Sequence, residues 1–526
     1  MTRRPTRHPN RWSALALFFL ASPSLAVGAA ISPPAAPPVA PQTGPQSKPE
    51  APASEEFWYA ISLGGKHAGY QRETRTRTSD GTLTTAQEAV FVIRRGTLKV
   101  RNRIEASFTE TKAHAPVSMR VTRELGSTPV VEEYTFRADS VDVVSHQDGR
   151  KLVQSRPRPS GEWLTPGQAE NLIRLRQTSG AKQIVVRAID PSVGLEPSTD
   201  TYTLVGKETL EVLGKKVPIW KYTLTSSKLP GITQTVSLDE KARLVRVEMD
   251  AAGDRMETIA ATRESALRES EGPEIMVATF VKPDRPIRDA RRVVRAAYTL
   301  SVPKGDLPDL PTAAAQSFTR IDASSGRVEV DVSRRPTSDD RKDPAYLAAS
   351  SSINTQDEEI KSLSARAVRG ATTPTEKAAA VRRFVREHIR EKNLGSGFAT
   401  ASEVARSRSG DCTEHAVLAA ALLRASGVPA RVASGLVYAD QFSGEREVFA
   451  YHMWAQAFVE QDGKGTWIDV DATLPESPAF DATHIALVTS SLKEGEFERS
   501  MVNIAKVLGV LKVKVEQTET ARGAAR

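Results

Sequence analysis

A chain of 526 residues with 39% hydrophobic and 26% charged side chains is too long for a single hydrophobic core and too polar for a multi-span membrane protein. Several soluble domains are therefore expected. The net charge of +8 is spread along the chain, and only 6% of residues are aromatic, so a nucleic-acid-binding role finds no basic stripe with interleaved aromatics to rest on.

At the N-terminus Arg3, Arg4, Arg7 and Arg11 precede the apolar run from Ala14 to Ala21, and small residues then offer cleavage after Ala26 or Ala29. This is the three-part layout of a secretory signal over residues 1–29. A membrane anchor is the competing reading, but the run is shorter than the roughly 20 residues a span needs and Pro23 interrupts it. No cysteine follows for lipid attachment. The expected location is periplasmic or extracellular, with no integral span once the signal is removed. The basic balance would suit anionic envelope surfaces if the charge were clustered. Residues 30–56 are rich in Pro, Ala, Ser and Gln with almost no large apolar side chain, and read as an extended tether.

From 57 to 265 apolar residues alternate with period two, as in Leu98, Val100, Ile104, Ala106 and Phe108, in Val117, Met119 and Val121, and in Val245, Val247 and Met249. A large, mainly antiparallel β domain is predicted, with one short helix near Pro166 to Arg176. No catalytic motif falls in it. A binding or spacer domain is the plain reading, and a curved sheet that carries lipid or lipoprotein is the alternative. A β-rich connecting segment, 266–343, follows.

The period changes to helical after Pro344, opening a region that extends from 344 to 526. Thr373-Pro374-Thr375-Glu376 is a capping box, and Val381, Phe384, Val385, His388 and Ile389 recur at helical spacing. His388 reads as a packed core histidine. Ala399 to Arg406 is a second, shorter helix. In Gly410-Asp411-Cys412-Thr413-Glu414-His415 the single cysteine of the chain opens an apolar helical run that ends at Ser426-Gly427. One cysteine excludes an intramolecular disulfide. At a helix N-terminus the free N–H groups and the macrodipole favour a thiolate and can also bind an oxyanion, while Asp411 works against the thiolate. A thiolate that attacks an amide needs a proton donor for the departing amine. Val432 to Tyr438 reads as a strand, Tyr451 to Val459 as a second with His452 at its head, and Trp467 to Thr473 as a third. Pairing of the last two across a hairpin would bring Asp471 beside His452.

The succession Gly-Asp-Cys-x-Glu-His-Ala, Gly-Val-Pro-Ala-Arg, Tyr-His-Met-Trp-Ala and Trp-Ile-Asp-Val-Asp-Ala-Thr resembles the transglutaminase-like superfamily, papain-like thiol enzymes that include transglutaminases, peptidases and amidases. The resemblance spans roughly Pro344 to Leu487, and the bacterial exported members with a β-rich N-terminal region are nearest in character. It implies an α+β fold in which a helix bearing the cysteine packs on an antiparallel sheet, preceded here by the β domain. It further implies Cys412 as nucleophile, His452 as general acid/base and Asp471 as the group orienting the imidazole. Many members have Asp-Pro-Thr where this chain has Asp471-Ala472-Thr473.

His415, three residues after Cys412, competes as the base, and Asp469, with the strand-face parity of Asp471, competes as the orienting carboxylate. Glu414 reads as a first-turn charge on the helix dipole. Trp454 and Tyr451 are candidates to wall a substrate cleft, or simply to pack. No cofactor is implied and a metal site is disfavoured, since there is one cysteine and no His-Glu-x-x-His. The expected partner is a protein or peptide substrate, with the cell envelope as a candidate place for it. The expected activity is a peptidase or amidase working through an acyl-enzyme, a hydrolytic lean carried by the resemblance. The alternatives are a protein-glutamine acyltransferase and a catalytically inactive envelope scaffold.

Overall fold

The structure is a computed structural model that describes residues 53–521 apart from 96–97, 148–149, 252, 335, 339–342, 393–397, 462–463, 476–478 and 494–495. The expected signal segment, and the expected tether up to residue 52, lie outside the described residues. The last four residues expected in the tether belong to the first strand, Ala53–Leu63.

Residues 53–261 form a fourteen-stranded antiparallel sheet built from two meanders. They join where the first strand pairs with the last, Asp254–Ala261, in the register Trp58 opposite Ala261. The alternation seen in the sequence buries one face of the sheet, with Val100, Ile104, Ala106 and Phe108 of Leu98–Glu110 inside, together with Asn102, and Arg101, Arg103, Glu105 and Ser107 turned outward. The predicted helix runs Pro166–Thr178, opened by a Thr165/Gln168 capping box, and it packs Ile173 against Tyr202 and Tyr222 of the sheet.

The connecting segment and the end of the chain meet in a second sheet. Its strands run in the order Gln316–Arg320, Ser325–Asp331, Val293–Ser301 and Lys512–Thr520. The C-terminal extension thus pairs with the connecting segment and not with the third sheet, which contains Lys464–Val470, Glu445–Gln461, Ala430–Phe442 and His484–Ser490 in that order. Helices Glu358–Ala367, Pro374–His388 and Ala401–Ser407 surround a fourth, Cys412–Ala425, that packs on the strand Glu445–Gln461. This fourth helix is apolar on every side, which is the pattern of a helix buried all round. It ends at Ser426, followed by Gly427 at φ +81°.

The three sheets share one core. Ile61 and Phe91 from the first, Tyr298 and Leu300 from the second, and Leu436, Tyr438 and Phe449 from the third belong to a single buried cluster. The Phe449 ring meets Tyr298 and Tyr438 edge-on at 5.8 and 5.4 Å. Each such buried side chain contributes about 1.5–3 kcal/mol, so the β domain and the unit that bears Cys412 are coupled by hydrophobic burial.

Candidate active site

Cys412 is the first residue of its helix. The Asp411 side chain caps the helix by accepting from the Thr413 N–H at 2.9 Å, and the Glu414 carboxylate reaches back to the Asp411 N–H at 2.8 Å. The turn before it needs glycine: Gly410 has φ +152°, and a Cβ there would lie 2.3 Å from the Glu414 Cβ. Asp411 is buried, and Arg95, which reaches in from the fourteen-stranded sheet, sits 3.3 Å from its carboxylate. Burial, then the Glu414 carboxylate, pushes the Asp411 carboxyl well above the usual range against the pull of Arg95. The negative charge that the sequence places against a thiolate is thereby weakened from two directions, by a cation and by raised proton affinity. A second contact of the same kind joins Ser127, whose N–H and hydroxyl both donate to Glu403 Oε1 on the helix Ala401–Ser407.

His452 lies within the strand Glu445–Gln461 and not at its head, because the hairpin is longer than the sequence pattern suggests and turns at Ser443-Gly444. The next strand stops at Val470, paired with Ala455, so Asp471 leaves the sheet one residue later. There His452 Nε2 donates to Asp471 Oδ2 at 2.9 Å, with both side chains buried. The carboxylate is fixed at its other oxygen, where Oδ1 accepts from the Thr473 N–H at 2.8 Å and from the Thr473 hydroxyl. The Asp471 backbone carbonyl is held by Arg382 Nε at 2.9 Å. The helix that Cys412 opens packs on the strand that carries His452.

The competing residues are engaged elsewhere. Asp469 accepts from Trp454 Nε1 and Gln456 Nε2, both at 2.8 Å, and from the Ala315 N–H, so it ties the strands together. His415 Nδ1 donates to the Asp411 carbonyl at 2.6 Å, and burial pushes its proton affinity down to about 4, so it is neutral and secures the turn before Cys412. Glu414 belongs to the capping box. His388 donates to the Ala405 carbonyl and stacks on Phe384. The cleft candidates Trp454 and Tyr451 are both buried, Tyr451 in the shared core and Trp454 stacked on the His452 ring at 5.8 Å. Cys412 itself is 0% exposed.

The sequence reading missed His484. Its Nε2 donates to the same Asp471 Oδ2 at 3.2 Å, and its Nδ1 donates to the Asp481 carbonyl at 3.0 Å. Its position depends on Gly435, the cross-strand neighbour of His452, where a Cβ would come within 2.0 Å of the Ile485 carbonyl oxygen. A signal for it exists in the chain: Asp471-Ala472-Thr473 is repeated ten residues later as Asp481-Ala482-Thr483, immediately before His484. Both copies fold into the same turn, with the Asp carboxylate accepting from the Thr N–H and hydroxyl.

Burial pushes the proton affinity of His452 down, and the nearby Asp471 recovers only part of it. For Asp471 burial works to raise the carboxyl, but the two imidazoles hold it well below the usual range. Donor atoms of His452, Asp471 and His484 lie within 4.8 Å of one another, the one group of that kind among the described residues. Each Nε2 turned to the carboxylate carries a hydrogen and so offers no lone pair in that direction, which makes the cluster a hydrogen-bonded one.

Residues 361–472 match the family model of the transglutaminase-like superfamily, and this part of the chain is a domain of that superfamily. None of the curated proteins matches the chain. Among solved structures, a β-barrel-like protein of a domain of unknown function from Brucella abortus is 12% identical, with 40% of this chain and 96% of that one covered and a TM-score of 0.32. A candidate cysteine protease from Cytophaga hutchinsonii is 14% identical over 43% and 88% of the two chains, with a TM-score of 0.26. A candidate protease from Parabacteroides distasonis is 11% identical over 74% and 64%, with a TM-score of 0.18.

Proposed function

We propose that the transglutaminase-like domain makes this protein an exported thiol hydrolase of peptide or carboxamide bonds, with Cys412 as nucleophile, His452 as general acid/base and Asp471 as the orienting carboxylate. The observation that carries the reading is the buried hydrogen bond of 2.9 Å from His452 Nε2 to Asp471 Oδ2, with His452 on the strand against which the helix opened by Cys412 packs. In this reading the Cys412 sulfur adds to the carbonyl carbon, the C–N bond breaks, and the His452 imidazolium gives its proton to the departing nitrogen. Water, activated by the now neutral imidazole, then cleaves the C–S bond and restores the thiol. A lysine amine in place of water would give a crosslink. The hydrolytic choice follows from the superfamily resemblance, and export from the signal-like first 29 residues.

A second reading, a scaffold that keeps the fold without the reaction, is favoured by one observation, the complete burial of Cys412. Alkylation of Cys412 with iodoacetamide across pH separates the two. A nucleophile paired with His452 reacts well below the ordinary thiol value of about 8.5 and loses that reactivity in His452→Ala, whereas an inert buried thiol shows neither effect. Trapping of the acyl-enzyme from envelope extracts, with mass spectrometry of the group attached to Cys412, then identifies the substrate.

A further inference from the structure

We propose that His484 is a positioning residue for this chemistry, a standing imidazolium that holds the Asp471 carboxylate and offsets its charge so that the proton on His452 stays mobile. The proposal rests on the reading of Cys412, His452 and Asp471 given above. It begins with hydrogen-bond arithmetic. The two ring nitrogens of His484 face the Asp481 backbone carbonyl at 3.0 Å and Asp471 Oδ2 at 3.2 Å. A carbonyl oxygen and an ionised carboxylate can only accept, so both nitrogens must donate, and an imidazole that donates twice is protonated. The side chain is wholly buried, where an unmet donor or acceptor is costly.

The charges around it balance without His452. Asp471 and Asp481 supply two negative charges; His484 supplies one positive charge and Arg291 the other, through Nη1 at 2.9 Å from Asp481 Oδ2. Arg291 comes from the connecting segment and is itself held by the Tyr438 carbonyl and Thr483 Oγ1. Among the described residues, His415, kept neutral by burial, Lys392, whose charge also reaches Asp471, and Tyr298, which interacts with Asp481 and Arg291 and donates to the Ala482 carbonyl, also act on the cluster. Aromatic rings close the site: Phe480 lies 4.2 Å from the His484 ring and Trp454 meets it edge-on at 5.3 Å. In keeping with this, the two carboxylates outweigh burial and raise the proton affinity of His484 to about 9.

The chemical consequence concerns Asp471 Oδ2, which both imidazoles share. A lone carboxylate in a dry site would fasten a proton on His452. With a fixed cation on the same oxygen that hold is loosened, and His452 can release its proton to a leaving nitrogen.

The test is the pH profile of Cys412 alkylation by iodoacetamide in the full chain and in His484→Gln, which keeps an N–H donor and removes the charge. Loss of a buried cation makes nearby protons harder to remove, so the profile is expected to move to higher pH by on the order of one unit. A folded His484→Gln protein with the parent profile overturns this proposal and leaves the triad reading standing. A parent protein whose alkylation shows no dependence on His452 sinks the triad reading and this proposal together. If His484→Gln does not fold, nitrogen NMR of ring-labelled histidine in the parent protein decides: both His484 nitrogens protonated at pH 7 supports the proposal, and a neutral ring overturns it.

Discussion

Several ion pairs of the fourteen-stranded sheet sit at the water: Arg72 and Glu56 bond at 2.6 Å with side chains 41% and 42% exposed, and Arg120 faces Glu133 directly across two strands. Around His452 the charges are sealed in, with the side chains of Asp471, Asp481, His452 and His484 at most 1% exposed. Burial separates a decorative charge from one that fixes geometry. Solvent screens the first kind almost to nothing, while the second leaves an unpaired buried ion when a partner is lost.

The sharpest way to break this contrast is Asp471→Asn. It removes the negative charge that two imidazoles share and puts an N–H donor where one of the two accepting oxygens stood, and a loss of about 3–5 kcal/mol in denaturant unfolding is expected, together with loss of Cys412 reactivity at neutral pH. Next comes Arg95→Ala, which leaves Asp411 buried without its partner. Because the Asp411 carboxyl can take up a proton, the expected loss is smaller, about 2 kcal/mol, read by the same unfolding curve. An Arg95→Ala protein as stable as the parent would show that the link from the β domain to the Cys412 helix does not matter.

The third effect is on pH. His484 has a folded value raised to about 9 from an ordinary value of 6.5, so its stabilisation is complete below 6.5 and is lost as pH climbs through 9. Asp471 is depressed below its ordinary 3.8, so its contribution is present above that value and is lost as pH falls below it. Unfolding midpoints measured from pH 3 to 10 should form a plateau with both shoulders, and His484→Gln should flatten the alkaline one. The smallest effect is Arg72→Ala on the sheet, under about 0.5 kcal/mol. If it rivals Arg95→Ala, the contrast between the two regions fails.

Much of the fold was legible wherever one face of an element is buried. Alternation marked the strands Leu98–Glu110, Pro116–Glu124 and Leu244–Ala251, and the capping box at Thr373 marked the start of the helix that runs to His388. Cys412 at a helix start was legible because capping is local. Strand ends were less so: the sequence pattern ends one strand at Tyr438 and starts the next at Tyr451, yet pairing runs on to Phe442 and resumes at Glu445, since the polar residues there still pair through the backbone. Asp471 and Asp469 could not be separated by parity, and only the exit of the chain from the sheet after Val470 brings Asp471 to His452.

The amino-acid order alone determined which stretches alternate as strands and where the capped helices begin, that Cys412 heads an apolar helix, and that His452 and an acidic residue stand on neighbouring strands, because periodicity, caps and turns act over a few residues. Folding in three dimensions decided the electrostatics. Arg95 lies 316 residues before Asp411, Arg291 far from Asp481, and His484 on a strand that reaches Asp471 only through the close approach at Gly435. Charge interactions strengthen as water is removed, and the water is removed by packing three sheets on one core, which no local stretch of sequence encodes.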